Sequence, residues 1–249
     1  MSRPLPSWPY PRWIAHRGAG RLAPENTLAA FRLGAEHGYR MFECDAKLSR
    51  DGVVFLMHDA ALDRTTDGTG IGGEQPWSEL SQRDAGGWHS RRYAGEPLPT
   101  LAALARFCLA NGHLLNIEIK PTPGTERETG AAVAHEAGHL WAGAPVPPLL
   151  TSFKPDALAA AREAAPHLPR GLLLDTLREG WLDEAKSLGC AAVVCNHALW
   201  DAASVGAARA AGLRQLSYTV NDEWAAQRLI DLGTDGIITD RVDLFAPQG

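Results

Sequence analysis

Short apolar runs alternate with longer helical stretches almost from end to end of this chain, and that rhythm limits the fold more than any other feature. The runs fall at about 12–16, 40–46, 114–120, 148–152, 170–174, 190–195, 213–219 and 235–239. Helical periodicity fills the gaps at about 26–37, 100–112, 126–141, 155–165, 178–188, 201–211 and 222–232. Eight strands separated by helices within 249 residues predict an α/β fold, a (β/α)8 TIM barrel rather than an open doubly wound sheet. The runs are rich in Val, Ile and Leu, as strands covered on both faces must be. Gly38, Gly112, Gly189, Gly212 and Gly233 each follow a helical stretch, where a left-handed residue ends the helix. Asn26 or Thr27 is placed to cap the first helix.

One region breaks the rhythm. Ser49-Arg50-Asp51-Gly52 is a turn signal, so 53–58 is expected to return antiparallel beside the end of the second strand. Residues 60–99 are rich in Gly, Asp, Thr and Trp without a sustained period. The expected organisation is therefore one domain over 1–249, with an insertion at about 53–99 lying over one end of the barrel.

Composition excludes several function classes. A formal net charge of -5 argues against nucleic-acid binding, which calls for a basic face. No apolar run approaches the roughly eighteen residues of a membrane span. The proline-rich N-terminal stretch lacks the apolar core of a secretory signal and reads as a short arm sealing one end of the fold. Cys44, Cys108, Cys190 and Cys195 show no metal-binding spacing, and free thiols in a reducing cytoplasm are expected. The oligomeric state leaves no mark in the sequence.

The chemistry gathers at strand ends. His16 and Arg17 end the first strand, Glu43 and Asp45 the second, and Glu118 and Lys120 the third. His58 returns along the hairpin to the same level. In a barrel of this kind the C-terminal strand ends form the active-site mouth, so all seven are expected to converge there. Strand side chains alternate faces, which puts Glu43 with Asp45 and Glu118 with Lys120. Carboxylates buried together without a cation are unfavourable. Three of them, with no Cys or His at metal spacing, suit a hard divalent cation, magnesium or calcium. Arg17 and Lys120 can hold phosphate oxygens, and the two histidines can divide acid and base roles.

At these residues the chain resembles the glycerophosphodiester phosphodiesterase family. The matching segments are His16-Arg17-Gly18 with Pro24-Glu25-Asn26-Thr27, Glu43-Cys44-Asp45, Asp51-Gly52, His58-Asp59 and Arg64-Thr65-Thr66 with Gly68 and Gly70. Glu118-Ile119-Lys120, Thr219-Val220-Asn221 and Thr239-Asp240 complete the set, which spans nearly the whole chain. The resemblance implies a barrel that hydrolyses glycerophosphodiesters, the deacylated phospholipids, to sn-glycerol 3-phosphate and an alcohol. It implies that His16 and His58 are the acid/base pair, that Glu43, Asp45 and Glu118 bind the cation, and that Arg17 and Lys120 contact phosphate. Its cytosolic branch fits best, so a cytoplasmic location is expected. Tyr218 stands where a Trp is common in the family, and Val242 where a Pro is usual. Cys44, between two acids, is expected to point away from them and pack on helices.

Rival readings have specific signatures. His135-Glu136-Ala137-Gly138-His139 matches the H-E-x-x-H pattern of zinc proteases, but Val133, Ala137 and Leu140 mark the core face of that helix. Both histidines then sit about 200° round from it and face outward. The glycines at 68–73 lack the Lys-Ser/Thr of a nucleotide loop and read as a flexible turn open to substrate. A phosphodiesterase acting on acylated lysophospholipids, the alternative function, needs an apolar groove at the mouth, with Trp77, Trp88 and Phe153 as its expected lining. A binding module that only senses a phosphodiester has no need of this full set of acids and bases. The attacking group, water or the neighbouring glycerol hydroxyl, stays open, as does the order in which the histidines act.

Overall fold

The computed structural model describes residues 8–247. Its first strand, β1 (Trp13–Ala15), is followed by α1 (Leu28–Glu36), β2 (Met41–Leu48) and β3 (Val54–Leu56). The remaining elements are α2 (Trp77–Leu80), α3 (Leu101–Asn111), β4 (Leu114–Ile119), α4 (Glu126–Leu140), β5 (Leu149–Ser152), α5 (Pro155–Ala164), β6 (Arg170–Leu174), α6 (Trp181–Ser187), β7 (Ala192–Asn196), α7 (Ala202–Ala210), β8 (Arg214–Tyr218), α8 (Glu223–Asp231) and β9 (Gly236–Thr239). Among the described residues these strands form one nine-stranded sheet in which β3 alone runs antiparallel, against β2, leaving eight parallel staves. Closure comes from β1, which pairs with β9 through Ala15 and Thr239 and with β2 through Ala15 and Phe42. The fold is the expected (β/α)8 barrel, with the hairpin at the expected turn.

Alternation along the strands sorts the core into two layers. Phe42, Cys44, Ala46, Leu115, Ile117 and Ile119 point outward and pack beneath the helices. Ile14, Met41, Leu149, Leu173, Val194, Leu216 and Ile238 fill the barrel interior. The interior is closed at the N-terminal ends of the strands by Tyr10, whose hydroxyl donates to the Pro147 carbonyl at 2.8 Å, with Trp8 against it at 4.8 Å. The expected sealing arm is therefore seen from residue 8 onward, and residues 1–7 lie outside the described residues.

The five helix-ending glycines all have positive φ. Thr27 is the cap of α1, its side chain accepting from the Ala30 amide, so Asn26 is left for another task. The insertion beyond β3 has its own small core of Phe55, Met57, Leu62, Leu80, Ala85 and Leu98, with Trp77 packed against it. Residues 68–73 are pinned rather than loose. Leu62 donates to the Gly70 carbonyl at 2.9 Å and Gly72 to that of Ala60 at 2.9 Å.

Candidate active site

All eight residues of β2 are buried, and its inward-facing positions include Glu43, Asp45 and Lys47. Glu118 and Lys120 follow on β4, where Asp45 is paired with Glu118. Oxygens of Glu43, Asp45 and Glu118 lie within 4.8 Å of one another, a cluster able to hold a metal ion. Glu43 Oε1 and Asp45 Oδ1 are buried without a hydrogen-bond partner, which is the state expected of ligand oxygens rather than of structural ones. Burial, and then the charge of Asp45, pushes the Glu118 carboxyl up to about 7. Burial raises Glu43 as well, reinforced by Asp45 and Glu118. Asp45 is buried too, but the charges of Arg17 and Lys120 outweigh that and hold it well below its ordinary value.

The loop after β1 brings the cations and amides that grip this cluster. Arg17 and Asn26 both have positive φ, 51° and 60°, a conformation that costs non-glycine residues about 1 kcal/mol or more. Their bonds justify it. The Arg17 amide donates to Glu43 Oε2 at 3.0 Å, and its Nε lies 3.2 Å from Asp45 Oδ2. Asn26 holds Asp45 with both ends of its amide, Nδ2 donating to Oδ2 at 2.8 Å and Oδ1 accepting from the Asp45 amide at 3.0 Å. Lys120 Nζ sits 3.1 Å from Glu118 Oε1 and 3.5 Å from Asp45 Oδ1. Beneath it the buried Lys47 donates to the Lys120 carbonyl at 3.1 Å, and burial brings Lys47 down to about 8.

Each histidine is backed by a carboxylate at Nδ1. His16 Nδ1 lies 2.6 Å from Asp240 Oδ1, leaving Nε2 on the side of Glu43, 3.8 Å from its Oε2. Asp240 is fixed in turn by Asn221, which donates from Nδ2 at 2.9 Å and accepts the Asp240 amide at 2.9 Å. Gly20 makes this approach possible, since a Cβ there would lie 2.1 Å from the Asp240 carbonyl oxygen. His58 Nδ1 lies 2.8 Å from Asp59 Oδ1, and its Nε2 is 2.6 Å from Lys120 Nζ. Lys120 is held charged, its burial outweighed by Asp45 and Glu118. His58 Nε2 must then accept and Nδ1 carry the proton, in a neutral ring whose pKa burial has lowered.

His16, Arg17, Glu43, His58, Glu118 and Lys120 line one pocket of about 230 Å³ at the C-terminal strand ends. Its other wall is Thr151, Phe153, Leu173, Tyr218 and Ile238. A larger depression of about 680 Å³ at the opposite end, around Tyr10, Arg12, Trp13 and Asp235, brings no such groups together.

A glycerophosphoryl diester phosphodiesterase family model matches residues 16–244. The chain belongs to this family. A glycerophosphodiester phosphodiesterase of Caldanaerobacter subterraneus is 32% identical over 234 residues, spanning 91% of this chain and 93% of its own. The structure of an Oleispira antarctica phosphodiesterase in complex with the product sn-glycerol-3-phosphate is 36% identical, with a TM-score of 0.86 over 92% of this chain and 93% of that one. The glycerophosphodiester phosphodiesterase of Agrobacterium tumefaciens is 31% identical, with a TM-score of 0.78 over 95% and 99%.

Set beside this family of phosphoric diester hydrolases, the seven residues read from the sequence do come together. Asp240, Asn221, Asp59, Arg64 and Glu25 are visible in the sequence only as members of matching segments, with no role attached, and Asn26 only as a candidate helix cap. Asp240, which directly follows the last strand, carries the one local signal of a site, a carboxylate at a strand's C-terminal end. His135 and His139 are exposed, as their helical phase requires, and Cys44 packs in the outer layer. Tyr218 turns its ring to the pocket while its hydroxyl donates to the Leu174 carbonyl at 3.0 Å, and Val242 is buried. The apolar groove that the lysophospholipid alternative needs is not formed by Trp77, Trp88 and Phe153 together. Phe153 is on the wall, but Trp77 packs on Phe55 and Trp88 donates to the Ala85 carbonyl. Nor do residues 68–73 line the pocket.

Proposed function

We propose that this family member hydrolyses glycerophosphodiesters to sn-glycerol 3-phosphate and an alcohol, with a divalent cation, Mg²⁺ or Ca²⁺, held by Glu43, Asp45 and Glu118. The observation that carries the reading is the meeting of two carboxylate-backed imidazoles with a cluster of three carboxylates, two of which, Glu43 and Glu118, line the same pocket as the imidazoles. The sn-glycerol-3-phosphate held by the Oleispira antarctica relative supports the product. A volume of about 230 Å³ suits a headgroup-sized diester rather than an acylated one.

His16 and His58 are the acid/base pair. One imidazole Nε2 takes the proton of the attacking hydroxyl, of water or of the neighbouring glycerol carbon, as its oxygen bonds to phosphorus. As the bond from phosphorus to the leaving oxygen breaks, the other imidazole delivers its proton there. Where the glycerol hydroxyl attacks, the cyclic phosphate so formed is opened by water in a second displacement, which returns the proton to that hydroxyl and yields glycerol 3-phosphate. Arg17 and Lys120 orient the non-bridging oxygens. The bound cation supplies neutralisation of phosphate charge and a lowered pKa for an oxygen it holds. Residues 1–249 serve as one phosphodiesterase domain with an insertion at about 53–99, a reading supported by the match over 16–244. The four cysteines, free among the described residues, fit a cytoplasmic setting.

The test is release of sn-glycerol 3-phosphate from glycerophosphocholine and glycerophosphoethanolamine, stopped by EDTA and restored by Mg²⁺ or Ca²⁺. Undiminished hydrolysis in Glu43→Gln or His16→Ala protein overturns the site.

A further inference from the structure

Arg64 lies in the insertion, outside the pocket lining, with 45% of its side chain exposed. An exposed ion pair contributes little to stability as a rule. This one is unusual in its valence. Arg64 Nη1 and Nη2 donate to the two oxygens of Glu25, both at 2.8 Å. Its Nε and Nη2 donate to the two oxygens of Asp59, at 2.6 and 3.1 Å. One guanidinium thus forks onto two carboxylates at once, a geometry that an ammonium cannot copy.

What those carboxylates touch gives the arrangement its meaning. Asp59 Oδ1 backs His58 Nδ1 at 2.8 Å, and Glu25 Oε1 accepts from Arg17 Nη1 at 2.9 Å. A continuous chain therefore runs from Arg17, beside His16, through Glu25, Arg64 and Asp59 to His58. Bonding to Arg64, first among its causes, holds the Asp59 carboxyl well below its ordinary value, so it remains an acceptor. An acceptor at that point keeps the proton of His58 on Nδ1 and its lone pair on the pocket side.

We propose that Arg64 is a positioning residue for the phosphodiesterase reaction: by clamping Asp59 and Glu25 it sets the tautomer and orientation of His58 and the aim of Arg17, and so makes the insertion part of the active site. This rests on the acid/base reading of His58 above.

Kinetics on glycerophosphocholine test it. Arg64→Ala is expected to lower kcat roughly tenfold or more with KM little changed. Arg64→Lys keeps the charge and guards against misfolding, yet is expected to lose kcat nearly as far, since one ammonium cannot hold both carboxylates. Added guanidinium ion is expected to restore part of the loss in Arg64→Ala protein. Because Arg64 acts through Asp59, the Arg64→Ala/Asp59→Ala double variant is expected to fall well short of the product of the two single losses. Full activity in either single variant of Arg64, a loss in KM alone, or fully multiplicative losses in the double variant overturns the proposal. Wild-type protein that releases no glycerol 3-phosphate would instead remove the reading on which it rests.

Discussion

The two histidines face one pocket from supports built on opposite principles. His16 ends β1 and leans on Asp240 at the end of β9, two staves hydrogen-bonded to each other, with Asn221 fixing Asp240 through a neutral amide. His16 and Asp240 are largely buried, with side chains 16% and 14% exposed. His58 stands on the hairpin beyond β3, and its chain of Asp59, Arg64 and Glu25 is ionic, with Asp59 32% and Arg64 45% exposed. One support is part of the barrel. The other joins two loops across the mouth. The difference teaches that a barrel can fix one imidazole through a buried carboxylate on the neighbouring stave, while an imidazole carried on an insertion is held through a network of half-exposed charges.

The comparison breaks first if the two histidines are not both needed. His16→Ala and His58→Ala are each expected to lower kcat by roughly a hundred- to ten-thousand-fold, measured as glycerol 3-phosphate release. The supports themselves should differ. Asp240→Asn is expected to cost about a hundredfold in kcat and Asp59→Asn about tenfold, since the His16–Asp240 pair is the more buried and the charge of its carboxylate is the less screened by solvent. Equal losses would erase the distinction drawn between them.

The carboxylate cluster is distinct from both histidine–carboxylate pairs, and that separation is measurable. Burial, and then the charge of Asp45, pushes the Glu118 carboxyl up to about 7, so at pH 6 it is mostly protonated and that proton would have to leave for a cation to bind there. Cation affinity should therefore rise with pH through neutrality, and the gain in Tm on adding Mg²⁺ or Ca²⁺ should be larger at pH 8 than at pH 6. The same pH-dependent gain is expected in Asp240→Asn and Asp59→Asn proteins. The smallest effect is expected from Asn221→Ala, which removes the two bonds orienting Asp240 but leaves its charge. A few-fold loss of kcat and about 1–2 kcal/mol of stability, read by denaturant titration, would place Asn221 behind Asp240.

Much of this is legible in the sequence. The spacing of apolar runs gave the order of the staves, and the acids at their C-terminal ends gave the mouth, because both signals are local. Asn26 shows where local reasoning stops. It sits where a helix cap belongs, yet Thr27 takes that place and Asn26 turns back in a left-handed conformation to hold Asp45, 19 residues away. Arg64 lies in a segment without periodicity, so nothing in its neighbourhood pointed to Glu25, 39 residues earlier. The groove that the lysophospholipid alternative needs around Trp77 and Trp88 is missing for a similar reason: an aromatic in an insertion is free to serve the insertion's own core, and Trp77 does.

By itself, then, the sequence determined the barrel, the identity of the two imidazoles and three carboxylates, and the face on which they stand, because a strand's pleat and a helix's turn repeat over a few residues. Only the tertiary structure decided which group backs His16, and what clamps Asp59, the chain neighbour that backs His58. Asp240 reaches His16 across 224 positions because the last stave closes on the first, and Arg64 reaches both Asp59 and Glu25 because the insertion folds over the mouth. Those partners are chosen by closure in space, to which no short-range pattern refers.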